Sequence, residues 1–392
     1  MSSGKDSHST RPLKFWENGL FGIEIDRVHH LVPGLLLTLV FAWISIWLSD
    51  YIGVTLLGFQ KSPISSVIVV VLIGLAIRNS IRLPGWLDQG FTFSVKKVLR
   101  LGIILMGIRL SILHVFRLGV MGVPIVLFCI IGALLFTTLL NRWLRLPERL
   151  GTLIAVGTSI CGVSAIVATA PGIDARDEEV SYAVAIITVF GIVATLVYPY
   201  AAYTLFEGNA VKSGLFLGTS VHETAQVAGA GMVFSDAFAL PLGLEVATVA
   251  KMVRNVFMVA VIPFMAFYYT RRRMVRGKNE AKKISFVKLF PFFILGFLAV
   301  ALLRTVGDLG VNSSGKAFGI WDDAAWKNIY SHIKTLSNYL LVVALAGVGL
   351  KTRFRILRGL GVKPFIVGLG AALIVGVVSI ITISLLGRFV NL

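Results

Sequence analysis

Long apolar runs, separated by short polar and basic stretches, dominate this chain. A helix needs about 20 residues to cross the hydrocarbon layer of a membrane, and eleven runs are candidates for such a crossing. The pattern therefore predicts an all-α polytopic membrane protein with about eleven transmembrane helices. The predicted spans are 31–49, 63–78, 98–116, 120–140, 151–171, 180–206, 214–232, 241–269, 289–306, 336–350 and 364–387.

Composition agrees with a membrane protein. Of the 392 residues, 56% are hydrophobic and only 14% are charged. A soluble protein of this length could not bury so much apolar surface. The net charge of +18 would suggest a nucleic-acid partner in a soluble protein. Here the basic residues gather in short loops beside apolar runs, which indicates membrane orientation and no nucleic acid.

The charge of the loops predicts how the chain is oriented. The loops at 141–149, 270–288 and 351–363 are basic and should face the cytoplasm. The loop at 307–335 balances acids against bases and should be external. Eleven spans satisfy these assignments with the N-terminus cytoplasmic and the C-terminus on the outside.

The spans are expected to form one transmembrane transporter domain over residues 31–390, preceded by a polar cytoplasmic arm at residues 1–30. An amphipathic segment near 84–97 is expected to lie along the cytoplasmic surface. The two cysteines, Cys129 and Cys161, both lie in apolar segments, so no disulfide framework is predicted.

Two short polar segments, called the polar phrases, interrupt the apolar pattern; the first begins at Gly157 and the second at Gly218. Glycines and hydroxyls at bilayer depth weaken a helix and cost free energy unless they line a protected cavity. For the first phrase, close packing through small residues is the alternative to a discontinuous helix whose free N–H groups hold an anion. We favour the discontinuous helix. Its candidate substrate-binding residues are Gly157, Thr158, Ser159, Cys161, Gly162 and Ser164.

The second phrase carries two ionisable residues, His222 and Glu223. Ionisable groups at membrane depth usually mark a substrate or proton pathway, although a buried pair that only ties two helices together is the alternative. On one helix, Thr219, Gln226 and one of the ionisable residues would share a face. We predict coupling or gating for His222, Glu223 and Gln226, and substrate binding for Gly218, Thr219 and Ser220.

A pair of cations follows in the next span. Lys251 and Arg254 are three residues apart and should project from one side of a helix. Buried cations need anionic partners, which could be Glu223, Glu245 or an anionic substrate. Snorkelling toward the interface is the alternative. We predict that Lys251 and Arg254 bind the substrate, because arginine offers a forked donor to oxyanions.

The sequence gives no sign of a cofactor or of enzymatic chemistry. It contains no ATP-binding loop and no metal-ligand spacing, so we expect no cofactor, no metal and no enzyme activity. An intramembrane enzyme using Cys161 and His222 is a minor alternative, and it requires the two side chains within hydrogen-bond reach. Energy for transport should come from an ion or substrate gradient.

An internal repeat is suggested, because the third and fourth predicted spans align with the chain 240 positions further on. Seven predicted spans separate the two copies, and an odd number inverts them, as is typical of secondary transporters. The two polar phrases are 61 positions apart and would run in the same direction if both cross fully. Either one is re-entrant, or they are not repeat mates. The aligned pairs are Gly107 with Gly347, Leu110 with Leu350, Gly119 with Gly359, and Pro124 with Pro364.

Several of these segments together resemble one family. The phrases at 157–165 and 218–227, the acidic turn at 177–179 and the run at 247–254 resemble the YeiH-type family of bacterial inner-membrane proteins, to which sulfate export is attributed. The similarity covers about residues 30–390. It implies a multi-pass inner-membrane transporter of the sodium/proton antiporter and bile-acid-symporter-like fold. That fold implies a scaffold, a core, inverted repeats and discontinuous helices, often in a homodimer.

The resulting prediction is a secondary active transporter of a small inorganic or sulfur-containing anion, with sulfate export by alternating access. A sodium- or proton-coupled symporter of a small organic acid is the main alternative, and sodium dependence separates the two. The expected partners are the lipid bilayer, the anion, and a proton or sodium ion as the coupling ion.

Overall fold

The computed structural model describes most of the chain as helices joined by short turns. The predicted arm at 1–30, the loops at 270–288 and 351–363, and Gly359 of the predicted repeat fall wholly or partly outside the described part. The described residues are 25–59, 62, 64–274, 290–355 and 362–387.

The helices vary from short segments to membrane-length rods. They are α1 (Val32–Asp50), α2 (Ser66–Ser80), α3 (Asp88–Phe93), α4 (Leu99–Met106), α5 (Ile112–Trp143), α6 (Glu148–Ser159), α7 (Val163–Thr169), α8 (Asp177–Leu205), α9 (Ala210–Ser220), α10 (Thr224–Phe238), α11 (Pro241–Val256), α12 (Met258–Met274), α13 (Phe293–Ser314), α14 (Asp323–Lys351) and α15 (Val362–Leu386). Short 3-10 turns lie at Ile25–Leu31, Gly85–Leu87, Gly107–Arg109 and Ala170–Ile173, and π turns at Tyr51–Leu56 and Ser94–Val98. Strands β1 (Lys316–Ala317) and β2 (Trp321–Asp322) form one small antiparallel hairpin.

Six helical segments in the described part are long and apolar enough to cross a membrane. A seventh is added if α11 and α12, which are bent by 41° at their junction, count as one span. A helical chain with several membrane-length segments is therefore confirmed, whereas the total of eleven stays a prediction. The six segments are Val28–Leu56, Ile112–Trp143, Asp177–Leu205, Phe293–Ser314, Asp323–Lys351 and Val362–Leu386.

The predicted division between the spans at 98–116 and 120–140 is wrong. Helix α5 runs without interruption through this boundary. The chain instead breaks at Leu110, which is extended, and Ser111 caps the start of α5 by accepting a hydrogen bond from the His114 N–H. The Ser111 cap stabilises the start of α5 at this point. Arg117, near the predicted boundary, lies inside the helix and does not end it.

The predicted loop at 307–335 is also wrong as a loop. Helix α13 extends to Ser314, and α14 begins at Asp323, where Asp322 accepts a hydrogen bond from the Ala325 N–H at 2.7 Å. Only the small β-hairpin lies between the two helices. Charged residues on an exposed helix face lower the local hydropathy without ending the helix, which is why the span predicted at 336–350 is the inner part of a longer helix.

The amphipathic segment near 84–97 is largely helical and continues into α4. Helix α3 continues through the π turn at Ser94–Val98 directly into α4. Phe91 is fully buried while Trp86 is exposed, so the segment has one inward face. Its continuity with α4 makes it the start of a longer helical run.

Helices α6 and α7 fold back on each other as a hairpin, called hairpin 1. Its tip is Ile160–Gly162, where Gly162 has a φ of +68° that side chains rarely adopt. At its base, the Arg149 Nη2 and Asp174 Oδ2 atoms form an ion pair at 3.1 Å. The span predicted at 151–171 is therefore not one helix crossing in one direction, because its two ends lie side by side.

Helices α9 and α10 form the second hairpin, hairpin 2, with its tip at Val221–Glu223. Its base lies at the C-terminal end of α8, where the Tyr203 and Phe238 rings stack with centroids 3.9 Å apart. The predicted crossing at 214–232 is wrong for the same reason as in hairpin 1. Because α8 starts at the base of hairpin 1 and ends at the base of hairpin 2, the hairpins enter from opposite ends of α8.

Candidate functional site

The site is built where the tips of the two hairpins meet α11. Helix α9 packs closely along α11, because a Cβ at Gly214 or Gly218 would lie 2.7 Å from a carbonyl oxygen of that helix. As a result, α11 lies next to the tips of both hairpins. Lys251 and Arg254, three residues apart on α11, reach them together, and each is 1% exposed. Snorkelling to the surface is thereby ruled out for both side chains.

The Lys251 ammonium connects the two tips. Its Nζ donates to the Ile160 carbonyl of hairpin 1 at 2.9 Å and to the Val221 carbonyl of hairpin 2 at 3.1 Å. It also donates to the carbonyl of His222. Three carbonyl oxygens match the three hydrogens of an ammonium group, so Lys251 is fully engaged by backbone.

The Arg254 guanidinium makes a second connection of the same kind. Its Nε donates to the Ser159 carbonyl at 2.8 Å, and its Nη2 donates to the Thr158 carbonyl. Its Nη1 donates to the carbonyls of Thr219 at 2.6 Å and Val221 at 3.3 Å. Both cations therefore bind backbone carbonyls at the ends of α6 and α9 or just beyond them, not carboxylates.

Helix electrostatics explain this arrangement. The last carbonyls of a helix have no partner within it, and each C-terminus carries roughly half a negative charge. Two helices end here, but α7 and α10 also begin here with their positive ends, so the backbone does not neutralise the two positive charges of Lys251 and Arg254. At least about one unit of positive charge is left over in a buried position.

The first polar phrase is mostly turned inward. Thr158 Oγ1 donates to the Ile154 carbonyl at 2.8 Å and Ser159 Oγ to the Ala155 carbonyl at 2.6 Å, and both side chains are fully buried. Back-bonds of this kind satisfy a hydroxyl within its own helix. Among these predicted residues, Ser164 has an exposed side chain at the start of α7.

The remaining residues of this phrase shape hairpin 1. A Cβ on Gly157 would lie 2.8 Å from the Ile166 side chain, so this glycine allows α6 and α7 to approach. The Cys161 thiol is buried against the Met258 sulfur. Gly162 turns the tip with its positive φ.

The second polar phrase behaves similarly. Thr219 Oγ1 donates to the Leu215 carbonyl and lies 2.6 Å from the Ser379 hydroxyl of α15. Ser220 Oγ donates to the Phe216 carbonyl at 2.6 Å. The hydroxyls of Thr158, Ser159, Thr219 and Ser220 are thus bound to protein in this conformation. Thr158, Ser159 and Thr219 offer their backbone carbonyls to Arg254 at the tips.

The expectation that Thr219, His222 or Glu223, and Gln226 share one helix face is wrong, because the helix ends at Ser220 and restarts at Thr224. The chain there is extended, with Val221 and Glu223 both in the β region. A histidine and a glutamate at a helix junction interrupt the α-helix, so spacing rules for a continuous helix do not apply.

His222 and Gln226 have different surroundings. His222 is fully buried, and its Nδ1 lies 3.1 Å from the Ser220 carbonyl, so Nδ1 carries the hydrogen and Nε2 is an acceptor. That Nε2 has no hydrogen-bond partner. Gln226 accepts from the Glu223 N–H at 3.1 Å and donates to the Thr188 carbonyl of α8 at 3.1 Å. Gln226 therefore holds the tip of hairpin 2 in place.

Glu223 connects one tip to the other. A Cβ on Gly162 would lie 2.5 Å from the Glu223 Cγ atom, so the glutamate packs directly on the turn of hairpin 1. Its side chain is only half-buried and lies within electrostatic reach of Lys251. Glu245, the other predicted counter-charge, is instead in electrostatic reach of Arg109.

Two residues of this region were not predicted as site residues. Asn255 Nδ2 donates to Thr224 Oγ1 at 3.1 Å, and the buried Asn255 Oδ1 has no partner. Asn255 lies four residues after Lys251 on the same face of α11, and that spacing could have indicated it. Thr224 follows the polar phrase directly.

The described part of the chain also bears on metal binding and on the Cys161–His222 pair. Within it, no group of three or more His, Cys, Asp or Glu residues could hold a metal ion. Cys161 contacts Met258 and the His222 ring contacts the Ser220 carbonyl, so the hydrogen bond required between Cys161 and His222 is not formed.

Comparison with known proteins gives consistent matches along the chain. The family model described as "Conserved hypothetical protein 698" matches residues 33–368. A UPF0324 membrane protein of Clostridium tetani is 32% identical over 91% of this chain and 97% of its own length. A UPF0324 membrane protein of Streptococcus pneumoniae serotype 4 is 34% identical over 78% of this chain and 83% of its own length.

Proposed function

This chain belongs to the UPF0324 family of membrane proteins, and from that premise we propose that it is a secondary transporter of a small anion. The resemblance noted in the sequence is confirmed, since the YeiH-type proteins are this family. Both relatives named above are called membrane proteins, and their names state no substrate. The substrate and the mechanism are therefore argued from the geometry of the hairpin tips.

One observation carries the proposal: two hairpins from opposite ends of α8 meet at the buried pair Lys251 and Arg254. The helix ends at the tips do not neutralise this pair. An uncompensated charge in a low-dielectric interior attracts an opposite charge strongly. A small anion at the tips, near the exposed Ser164, would supply it.

Alternating access is the mechanism that this arrangement favours. Each hairpin separates the tips from one end of α8, so movement of either hairpin would open the tips to that side. The hairpins are inverted relative to each other, which supports an inverted-repeat architecture of discontinuous helices. Most packing of α1–α4, α13 and α14 is within that group, which supports a scaffold beside a moving core.

Glu223 is proposed to couple transport to protons. An ionised Glu223 would neutralise the surplus positive charge at the tips, whereas a protonated Glu223 would leave that charge free for an anion. Proton binding and anion binding would then favour each other. His222 and Gln226 would support this role by fixing the shape of the tip of hairpin 2.

Sulfate or a related sulfur oxyanion is the proposed substrate, and export is the proposed direction, both on the family resemblance. The same resemblance leads us to propose the bacterial inner membrane and a homodimer. The charge of the loops leads us to propose a cytoplasmic N-terminus and an external C-terminus. We further propose that the protein is not an enzyme and uses no cofactor.

A cation-coupled symporter of an organic acid is the second candidate. Asn255 Nδ2 donates to Thr224 Oγ1 at the start of α10, directly after Glu223, and the Asn255 Oδ1 is unpartnered. Oxygen ligands of this kind suit sodium or a proton. Transport that requires sodium, and that ceases in Asn255→Leu, would favour this candidate.

The test is sulfate uptake by purified protein in liposomes, with and without a proton or sodium gradient. We expect uptake by the wild-type protein and a sharp loss in Arg254→Ala and His222→Ala. Arg82→Ala, which alters an exposed arginine, is the matched control. Uptake at wild-type rates in both tip variants would overturn the site, and absence of anion transport in the wild-type protein would overturn the function.

A further inference from the structure

A second group of cations lies away from the hairpin tips, at the end of the bundle predicted to face the cytoplasm. Arg78 at the end of α2 and Arg353 after α14 both bond the Asp88 carboxylate, at 2.7 Å and 2.9 Å. Lys351 donates to Thr92 Oγ1 at 2.8 Å in the same region. We call Arg78, Asp88, Lys351 and Arg353 the α2–α14 cluster.

Arg78 is the unusual member of this cluster. Its side chain is only 3% exposed, yet its Nε and Nη1 atoms have no hydrogen-bond partner. A buried donor without an acceptor carries a desolvation penalty. The positive-inside rule explains exposed lysines and arginines in a cytoplasmic loop. It does not explain a guanidinium held inside the protein with unpaired nitrogens.

The charge of the cluster is also unbalanced. Three cations, Arg78, Lys351 and Arg353, share one carboxylate, and Lys96 adds a further positive charge within reach of Lys351. Asp88 and Arg353 have side chains 37% and 47% exposed, so the cluster opens on one side. An anion that enters there would meet excess positive charge, and the unpaired donors of Arg78 are buried beneath it beside Asp88.

The local fold holds these groups rigidly. Gly74 of α2 and Gly349 of α14 pack backbone against backbone, since a Cβ on Gly74 would lie 2.9 Å from the Gly349 Cα. Asn79 donates to the Thr352 carbonyl at 3.0 Å and accepts from the Phe354 N–H at 2.7 Å. A fixed framework of this kind pre-positions donors for a ligand.

We propose that the α2–α14 cluster binds a tetrahedral oxyanion. Arginine presents several N–H donors to such an ion, and hydrogen bonds to charged groups are stronger than neutral ones. The oxyanion is either a free ion of the sulfate or phosphate type, or the phosphate of an anionic lipid headgroup. Both present negatively charged oxygens on a tetrahedral centre, so the same donors serve either.

The position of the cluster suggests how a bound oxyanion could take part in transport. Lys351 is within electrostatic reach of Glu223 at the tip of hairpin 2 as well as of Asp88. A free oxyanion held here would be collected on the cytoplasmic approach to the tips. That role rests on the proposed function, whereas binding itself does not.

The experiment is a binding titration on the full-length protein, monitored by thermal stability. One arm adds sodium sulfate to protein in lipid-free neutral detergent. The other compares nanodiscs of phosphatidylcholine alone with nanodiscs that contain phosphatidylglycerol. In the arm that responds, we expect Arg78→Gln to weaken the apparent affinity by about tenfold or more. Arg82→Gln, which alters an exposed arginine four positions further on, should leave it unchanged.

Two further variants keep the test decisive if Arg78→Gln folds poorly. Lys351→Gln and Arg353→Gln alter exposed side chains and should weaken binding in the same arm. A response to sulfate identifies a free ion, and a response only to phosphatidylglycerol identifies a lipid headgroup. No stabilisation of the wild type in either arm, or equal affinity in all three variants and the wild type, overturns the proposal. Loss of binding in the variants, together with no anion transport by the wild-type protein, would uphold this site and reject the transport function.

Discussion

Replacement of Lys251 by methionine should destabilise the protein strongly. Methionine has a similar length but no hydrogen-bond donor, so the carbonyls of Ile160, Val221 and His222 would lose their shared partner. The ends of α6 and α9 would lose one of the two cations that bind them together. The tips of the hairpins should then separate.

The size of the effect follows from these contacts. Each hydrogen bond to a charged donor contributes about 1.5–3 kcal/mol, so three contribute about 4–9 kcal/mol before the cost of burying the ammonium is subtracted. That cost is several kcal/mol, and removal of one partner from a buried ionic contact costs about 3–5 kcal/mol net. At roughly 2–4 °C per kcal/mol, the melting temperature should fall by about 6–20 °C.

The assay is thermal unfolding of the purified protein in one detergent. Lys316→Met is the matched control, because this lysine is exposed and lies far from the tips in the β-hairpin. Lys251→Arg should recover part of the loss, since it restores a charged donor. A melting temperature for Lys251→Met within 2 °C (about 1 kcal/mol) of the wild type would refute the electrostatic account of the tips.

Two other predictions concern the hairpins themselves. Gly162→Ala should lower stability by about 1–3 kcal/mol, because the residue has a φ of +68° and a Cβ would lie 2.5 Å from the Glu223 Cγ. Gly85→Ala, where a Cβ would meet nothing within 4 Å, should be neutral in the same unfolding assay. Cysteines placed singly at Arg149 and Asp174 should react with an impermeant thiol reagent from the same side of oriented vesicles, since these residues form an ion pair. Labelling from opposite sides would rule out a re-entrant hairpin 1.

The sequence allowed the location of the tips to be predicted, but not how the chain passes through them. Glycines, hydroxyls and an ionisable pair marked the phrases beginning at Gly157 and Gly218, because such residues are costly in a lipid-facing helix. Hydropathy cannot separate a crossing helix from two shorter helices that fold back, since together they contain about as many apolar residues. The contact between Arg149 and Asp174 supplies that information.

For the cations Lys251 and Arg254, too, one part of the prediction was possible from the sequence and another was not. Their depth in the protein was predictable, because Lys251 and Arg254 fall inside an apolar run. Their partners were not, because carboxylates leave a signature in the sequence and backbone carbonyls do not. Only the positions where α6 and α9 end show that these carbonyls are unpaired and converge.

The prediction of a loop at 307–335 was wrong for a physical reason as well. Between residues 307 and 335, charged side chains cover the exposed faces of two helices, so low hydropathy indicated a loop where the chain is helical. Helix capping by Asp322, and not hydropathy, fixes where α14 begins.

The central claim, that a small anion binds at the hairpin tips, is tested most directly by labelling Ser164→Cys in the presence of anions. Ser164 is exposed, whereas Cys129 and Cys161 are 2% and 5% exposed and should react little. We predict that sulfate or a related sulfur oxyanion slows the reaction of this cysteine with a thiol reagent, and leaves Ser313→Cys, an exposed site on α13, unaffected. A labelling rate at Ser164→Cys that no small anion changes would contradict the account.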